Sequence, residues 1–187
     1  MAVLIRRLYR IGILLFLTAG FSLQANATDE GLELQEQAIK AGLLYNFLKY
    51  TDWPVLPSAM TVCIFGEDPF EGHLQPIVGR TVNQREITLR MVHTVNDTQN
   101  CQLLYINAAE KQNWPELRKH LTGRSILTVS DFGDFLGSGG MLEFGRKNDH
   151  ISVELNTEAL SAAHLNVQDR LLKLVTIVHP ALPEEGR

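Results

Sequence analysis

Only two cysteines, Cys63 and Cys101, occur in 187 residues. That excludes a thiolate metal cluster, because no histidine is spaced to complete a ligand set with them. The six histidines, His73, His93, His120, His150, His164 and His179, contain no H-x-x-x-H pair and read as surface or turn residues. Long apolar runs are missing after residue 27, so no later segment approaches the roughly 20 residues of a membrane-spanning helix. Basic residues are few, with 17 Lys and Arg against 21 Asp and Glu. An acidic chain is a poor candidate for nucleic acid, whose binding rests on neutralising phosphates.

Catalytic pairings are missing as well. The stretch "SDFGDFLGSGG" at 130–140 superficially resembles enzyme equipment. A kinase D-F-G works only with a glycine loop, a strand lysine and an H-R-D loop, and none is present. Gly137-Ser138-Gly139 is not a nucleophile elbow, since a strand rather than a helix is expected to follow. The same lack of a helix behind the glycines removes a phosphate cradle. Ser130 and Asp131 are adjacent, which suits a turn better than a nucleophile and its base. The reading is therefore structural: a strand ends at Val129, Asp131 turns or caps the chain, and the glycines supply positive φ angles. No enzyme activity and no cofactor are expected.

What is present begins with the leader. Arg6, Arg7 and Arg10 precede an apolar run at 11–23, and Ala25-Asn26-Ala27 offers small residues where signal peptidase reads them. Those three parts make residues 1–27 a secretory signal peptide, cleaved after Ala27, with the periplasm as destination. No cysteine follows to make a lipoprotein. Residues 28–187 form the expected domain. Without the leader arginines its net charge is about −7, and its length suits one core. In an oxidising compartment an even cysteine count favours a Cys63–Cys101 disulfide over two buried thiols. The loop so closed is worth about 4 kcal/mol in the chain-entropy view.

Along the domain, Leu34, Ala38, Ala41, Tyr45 and Leu48 recur at helical spacing, predicting a helix over 32–50 that stops near Trp53-Pro54. Strands are predicted at 61–65, 86–92, 101–106, 125–129, 141–144 and 150–155. Helices are predicted at 69–77, 114–121, 157–164 (capped by Asn156) and 168–178, with a loose tail after them. Strands alternating with helices, then a hairpin, give an α/β fold: a single domain with a mixed β-sheet flanked by α-helices. Glu143 and Glu154 lie on neighbouring strands and can face each other, most simply as solvated strand-face acids.

Six segments in order carry a resemblance: "KAGLLYNFLKYTDWP" at 40–54, "VCIFGEDPF" at 62–70, "CQLLYI" at 101–106, "ILTVSDFGDFLGSGGMLEF" at 126–144, "ISVELN" at 151–156 and "RLLKLV" at 170–175. Together they resemble the YfiR family of bacterial periplasmic proteins. The resemblance implies a dimeric α/β repressor that binds the periplasmic sensor region of an inner-membrane diguanylate cyclase. Lower cyclic di-GMP and less biofilm would result. It also implies an outer-membrane lipoprotein partner able to sequester the repressor. Cys63 and Cys101 match family cysteines, whereas a second pair that some relatives carry near the glycine loop is missing here. Some relatives bind small molecules, and by that match Glu154, Leu160 and Val167 would line a ligand pocket bordered by Trp53, the alternative being ordinary core and cap packing of these residues. Where relatives often have Ser-Ser before the "LLKL" run, this chain has Gln168-Asp169. The competing function is a periplasmic small-molecule binding protein feeding a sensor or transporter.

Overall fold

A computed structural model describes residues 26–148 and 150–179, with side chains described from residue 31. Most of the leader and the tail after residue 179 lie outside the described residues. The chain divides into two units, Met1–Gln35 and Glu36–Arg187. The architecture below is that of the second.

Helix α1 is Asn26–Tyr50. Strands β1 (Thr51–Asp52), β2 (Met60–Phe65), β3 (Thr81–Val82), β4 (Arg85–Val92), β5 (Leu103–Ile106) and β6 (Leu127–Ser130) follow, with helix α2 (Trp114–Leu121) between β5 and β6. Then come β7 (Leu142–Lys147), β8 (His150–Asn156), α3 (Thr157–Ala162), β9 (Asn166–Val167), α4 (Asp169–Leu172) and β10 (Thr176–Val178). Eight strands form one sheet in the order β10-β8-β7-β6-β5-β2-β4-β3, while β1 and β9 pair separately. Only β7 with β8 and β3 with β4 run antiparallel in the large sheet, so it is mixed, as expected.

Why the middle of the sheet is parallel follows from its sequence. Strands β2, β5 and β6 are buried at every residue, as near-continuous apolar runs covered on both faces must be. Alternate residues face opposite layers. Met60, Val62 and Ile64 join Leu103, Tyr105, Leu127 and Val129 in a core with Leu44, Phe47 and Leu48 of α1. Cys63, Phe65, Leu104 and Ile106 face the other way, into a core with Trp114, Leu117 and Leu121 of α2. Pro115 sits in the first turn of α2, where its missing N–H costs nothing. Asn156 caps α3, its Oδ1 accepting from Ala159 N at 2.9 Å.

Four expectations need correction. The buried face of α1 is Lys40, Ala41, Leu44, Phe47 and Leu48, whereas Ala38 is exposed and Tyr45 half-buried. The alternating steps of four and three from Leu34 mark a stripe that meets the buried one at Ala41 and Leu48 but is centred to one side of it, away from Leu44 and Phe47. The helix predicted at 69–77 shrinks to a 3-10 turn at Gln75–Ile77, preceded by Asp68, whose carboxylate accepts from Phe70 N and Gly72 N in a local turn. The helix predicted at 168–178 ends at Leu172, and Thr176–Val178 instead pairs parallel to β8. The β-branched run Val175-Thr176-Ile177-Val178 favours a strand once β8 offers an open edge. The helix predicted at 157–164 closes at Ala162, with His164 at φ 56°.

Candidate functional site

The "SDFGDFLGSGG" loop lies where the carboxyl ends of β5 and β6 meet α1 and α2. Ser130 is the last residue of β6 and fully buried. Its hydroxyl donates to Ile106 O at 2.8 Å and accepts from Phe132 N at 3.4 Å, so it is committed to the backbone. Asp131 accepts from Lys40 Nζ at 3.0 Å, and Lys40 also pairs with Glu36 at 2.9 Å. Arg146 reaches the second oxygen of Glu36 at 3.4 Å.

Lys40 is nearly buried, with 7% of its side chain exposed. Burial works against its charge, but the Glu36 and Asp131 carboxylates outweigh that and hold its pKa above the ordinary value. Tyr105, fully buried on β5, has its phenol pushed up by burial and then by the charge of Asp131. The cluster is thus a charge clamp tying α1 to the loop after β6. It presents a phenol whose burial favours the neutral form and charges that are already paired, an arrangement that holds the two segments together.

The glycines of the loop answer to packing. A Cβ on Gly139 would lie 2.6 Å from Arg118 Nε, and φ there is +91°. A Cβ on Gly140 would collide with the Phe135 ring. Of the loop glycines, only Gly139 has positive φ; the other left-handed residue is Asp134 at 67°. Phe132 and Phe135 stack edge to face at 5.0 Å, and Phe135 lies 4.6 Å from Trp114. The loop folds back as an aromatic plug in the α2-side core.

Glu143 and Glu154 do face each other in the β7–β8 register. Glu143 is not a simple solvated acid, however: its Oε2 accepts from Phe135 N at 2.9 Å and Leu136 N at 3.2 Å. Burial raises its pKa, those two amides resist the rise, and the nearby Glu154 and Asp134 charges add to it. Sequence reasoning missed this latch because nothing in the spacing shows that the loop returns over β7.

Cys63 and Cys101 form a disulfide with Cα atoms 5.8 Å apart. Both are buried in the α2-side core. The bridge fixes the approach to β5 against β2, beside Thr61 N, which donates to Gln102 Oε1 at 2.7 Å.

The residues expected to line a pocket separate into groups. Leu160 and Val167 border one surface depression of about 400 Å³, together with His164, Asn166 and Leu172. Trp53 is buried in the α1-side core. It follows β1, which pairs Thr51 with Val167, so the fold brings its segment beside the depression without placing its ring in the lining. Its indole N–H has no hydrogen-bond partner among the described residues. Glu154 sits in mid-β8 between Glu143 and Thr176 and is outside that lining. Among the described residues, no three His, Cys, Asp or Glu side chains gather as a metal site, and no helix is long and apolar enough to cross a membrane.

The sequence profile of the YfiR/HmsC-like family matches residues 37–176. That span contains Lys40, the disulfide, the whole glycine loop and nearly all of the large sheet. The charge clamp's Lys40 and Asp131, the disulfide and the glycine loop all lie within the matched span, and the chain belongs to the YfiR/HmsC-like family.

Proposed function

We propose that the protein is a periplasmic repressor that binds the periplasmic sensor region of an inner-membrane diguanylate cyclase, lowering cyclic di-GMP and biofilm formation. The observation that carries this is the family match over residues 37–176, because the family is one of regulators of such cyclases. The clamp and latch around Asp131 and Glu143 agree with a rigid interaction module: Lys40 holds Asp131, and Glu143 accepts from the Phe135 and Leu136 amides. In this reading the active form is a homodimer, an outer-membrane lipoprotein sequesters it, and the cleaved leader delivers it to the periplasm.

Capture of a small molecule for a sensor or transporter is the second reading, favoured by the depression bordered by Leu160 and Val167. In the first reading a ligand there, with Trp53 and Glu154 at its margin, modulates the repressor. One experiment separates the two. The tagged mature chain is expressed in its own host, membranes are solubilised, captured proteins are identified, and cyclic di-GMP is measured with and without the gene. A captured cyclase, and a rise in cyclic di-GMP on deletion reversed by complementation, is the expected result. Unchanged cyclic di-GMP on deletion refutes the repressor.

A further inference from the structure

On the opposite side of α3 from the Leu160 depression, a second cleft opens between α2, α3 and the glycine loop. Its volume is about 190 Å³, and its walls include Trp114, Arg118, Thr128, Gly139, Met141 and Ala162. The two clefts share no lining residue. The walls are mostly apolar carbon, and two of their polar side chains are already used: Trp114 Nε1 donates to Ser138 Oγ at 3.0 Å, and Asn156 is occupied as the cap of α3.

Two polar groups are not used. Thr128 on β6 is 2% exposed, and its hydroxyl has no hydrogen-bond partner among the described residues. A buried hydroxyl left unpaired is costly, so such groups normally find a partner. Arg118 is half-buried against Gly139, and among the described residues its guanidinium enters no ion pair. An apolar cleft with a buried hydroxyl in its wall and one uncommitted guanidinium is the common arrangement of a small-ligand site: greasy walls and a few convergent polar groups.

We propose that this cleft binds a small monocarboxylic acid whose apolar body is the size of one ring. Size sets the body, since an apolar cavity of about 150 Å³ admits benzene and this one is slightly larger. Arg118 sets the charge, because a guanidinium pairs with a carboxylate through two parallel N–H···O bonds. Thr128 supplies a donor or acceptor to a polar atom of the body. Such a ligand bridges α2 to the loop that the Lys40 clamp and the Glu143 latch hold.

The test uses the mature protein with phenylacetate and its neutral analogue 2-phenylethanol, followed by amide NMR shifts and calorimetry. Phenylacetate should saturate, shifting resonances of α2, Thr128 and Gly139, and bind at least about tenfold more tightly than the alcohol, or ~1.4 kcal/mol. Arg118→Gln should remove that advantage and leave the alcohol unchanged. Thr128→Val should weaken 4-hydroxyphenylacetate, whose ring hydroxyl offers the polar atom, several-fold and leave phenylacetate unchanged. Ala162→Phe, at an exposed helix position, fills the cleft and should abolish binding of both with the melting temperature kept. Failure of both compounds to saturate in the millimolar range overturns the site. So does binding that survives Ala162→Phe. Equal affinity of acid and alcohol, or indifference to Arg118→Gln, overturns the assignment to an acid. If one variant fails to fold, the remaining two still decide.

Discussion

Replacing Lys40 by methionine keeps the stem of the side chain and deletes its charge. In the folded protein that charge stands between Glu36 at 2.9 Å and Asp131 at 3.0 Å. Breaking a buried pair from one side costs about 3–5 kcal/mol, because the partner is left buried and uncompensated. Here both carboxylates keep 23% of their side-chain surface exposed, and Arg146 still reaches Glu36. Water and that arginine recover part of the loss, so the expected cost is about 2–3 kcal/mol. For a chain of this size that is a fall in melting temperature of about 5–10 °C. Asp131→Leu alone should cost a similar amount, since Lys40 then keeps only Glu36. The double variant should be less destabilised than the two singles combined, with a coupling of about 1–2 kcal/mol. Urea unfolding of the four proteins measures this directly. The sign of the pH effect follows from the raised pKa of Lys40. Its contribution is complete below the unfolded value of about 10.4 and disappears as pH rises through the folded value. Tyr105 acts in the same direction, so the wild type should lose stability above about pH 10, and Lys40→Met should lose less over that range. Singles within about 0.5 kcal/mol of wild type, or strict additivity, would refute the clamp.

The disulfide gives a second expectation. Cys63→Ser should destabilise the domain by about 2–5 kcal/mol, Cys101→Ser equally, and the double variant little more. Thiol titration of the denatured protein and thermal melts check it, and on the proposed repressor role cyclic di-GMP in cells should rise as the protein is lost. Glu143 gives a third. Because its pKa is raised, its favourable contribution is present below the unfolded value of about 4.3 and fades as pH rises through the folded one. Glu143→Gln should therefore flatten the fall in stability that begins above about pH 4.3, whereas Glu143→Ala should cost about 1–3 kcal/mol by stranding the Phe135 and Leu136 amides. Denaturation at a series of pH values separates them: identical profiles for wild type and Glu143→Gln would refute the raised pKa, and unchanged stability in Glu143→Ala would defeat the latch.

Strand character was legible in the sequence wherever burial is symmetric. "TVCIF" and "CQLLYI" are apolar at nearly every position, a pattern for which the middle of a parallel sheet is the natural home. Helix α2 was legible from Pro115 in its first turn, and α3 from its Asn156 cap. The pairing of Cys63 with Cys101 followed from count and compartment alone. Each of these signals is local, or is settled by elimination.

Other features depend on what a residue meets from far along the chain. The segment at 176–178 carries a helix-compatible pattern and became a strand because β8 had an open edge. Lys40 lies on a stripe that spacing alone did not select, and 91 residues separate it from Asp131. Glu143 reads as a solvated strand acid until the loop folds back and points two amides at it. The glycine run carries no mark of whether it faces a phosphate or an aromatic ring; only the position of Phe135 against Gly140, and of Arg118 against Gly139, decides. Sequence spacing determines which way a side chain points from its own strand or helix. What waits there is determined by the topology that stacks β6 beside β5 and α1 across both, and that is a property of the folded chain alone.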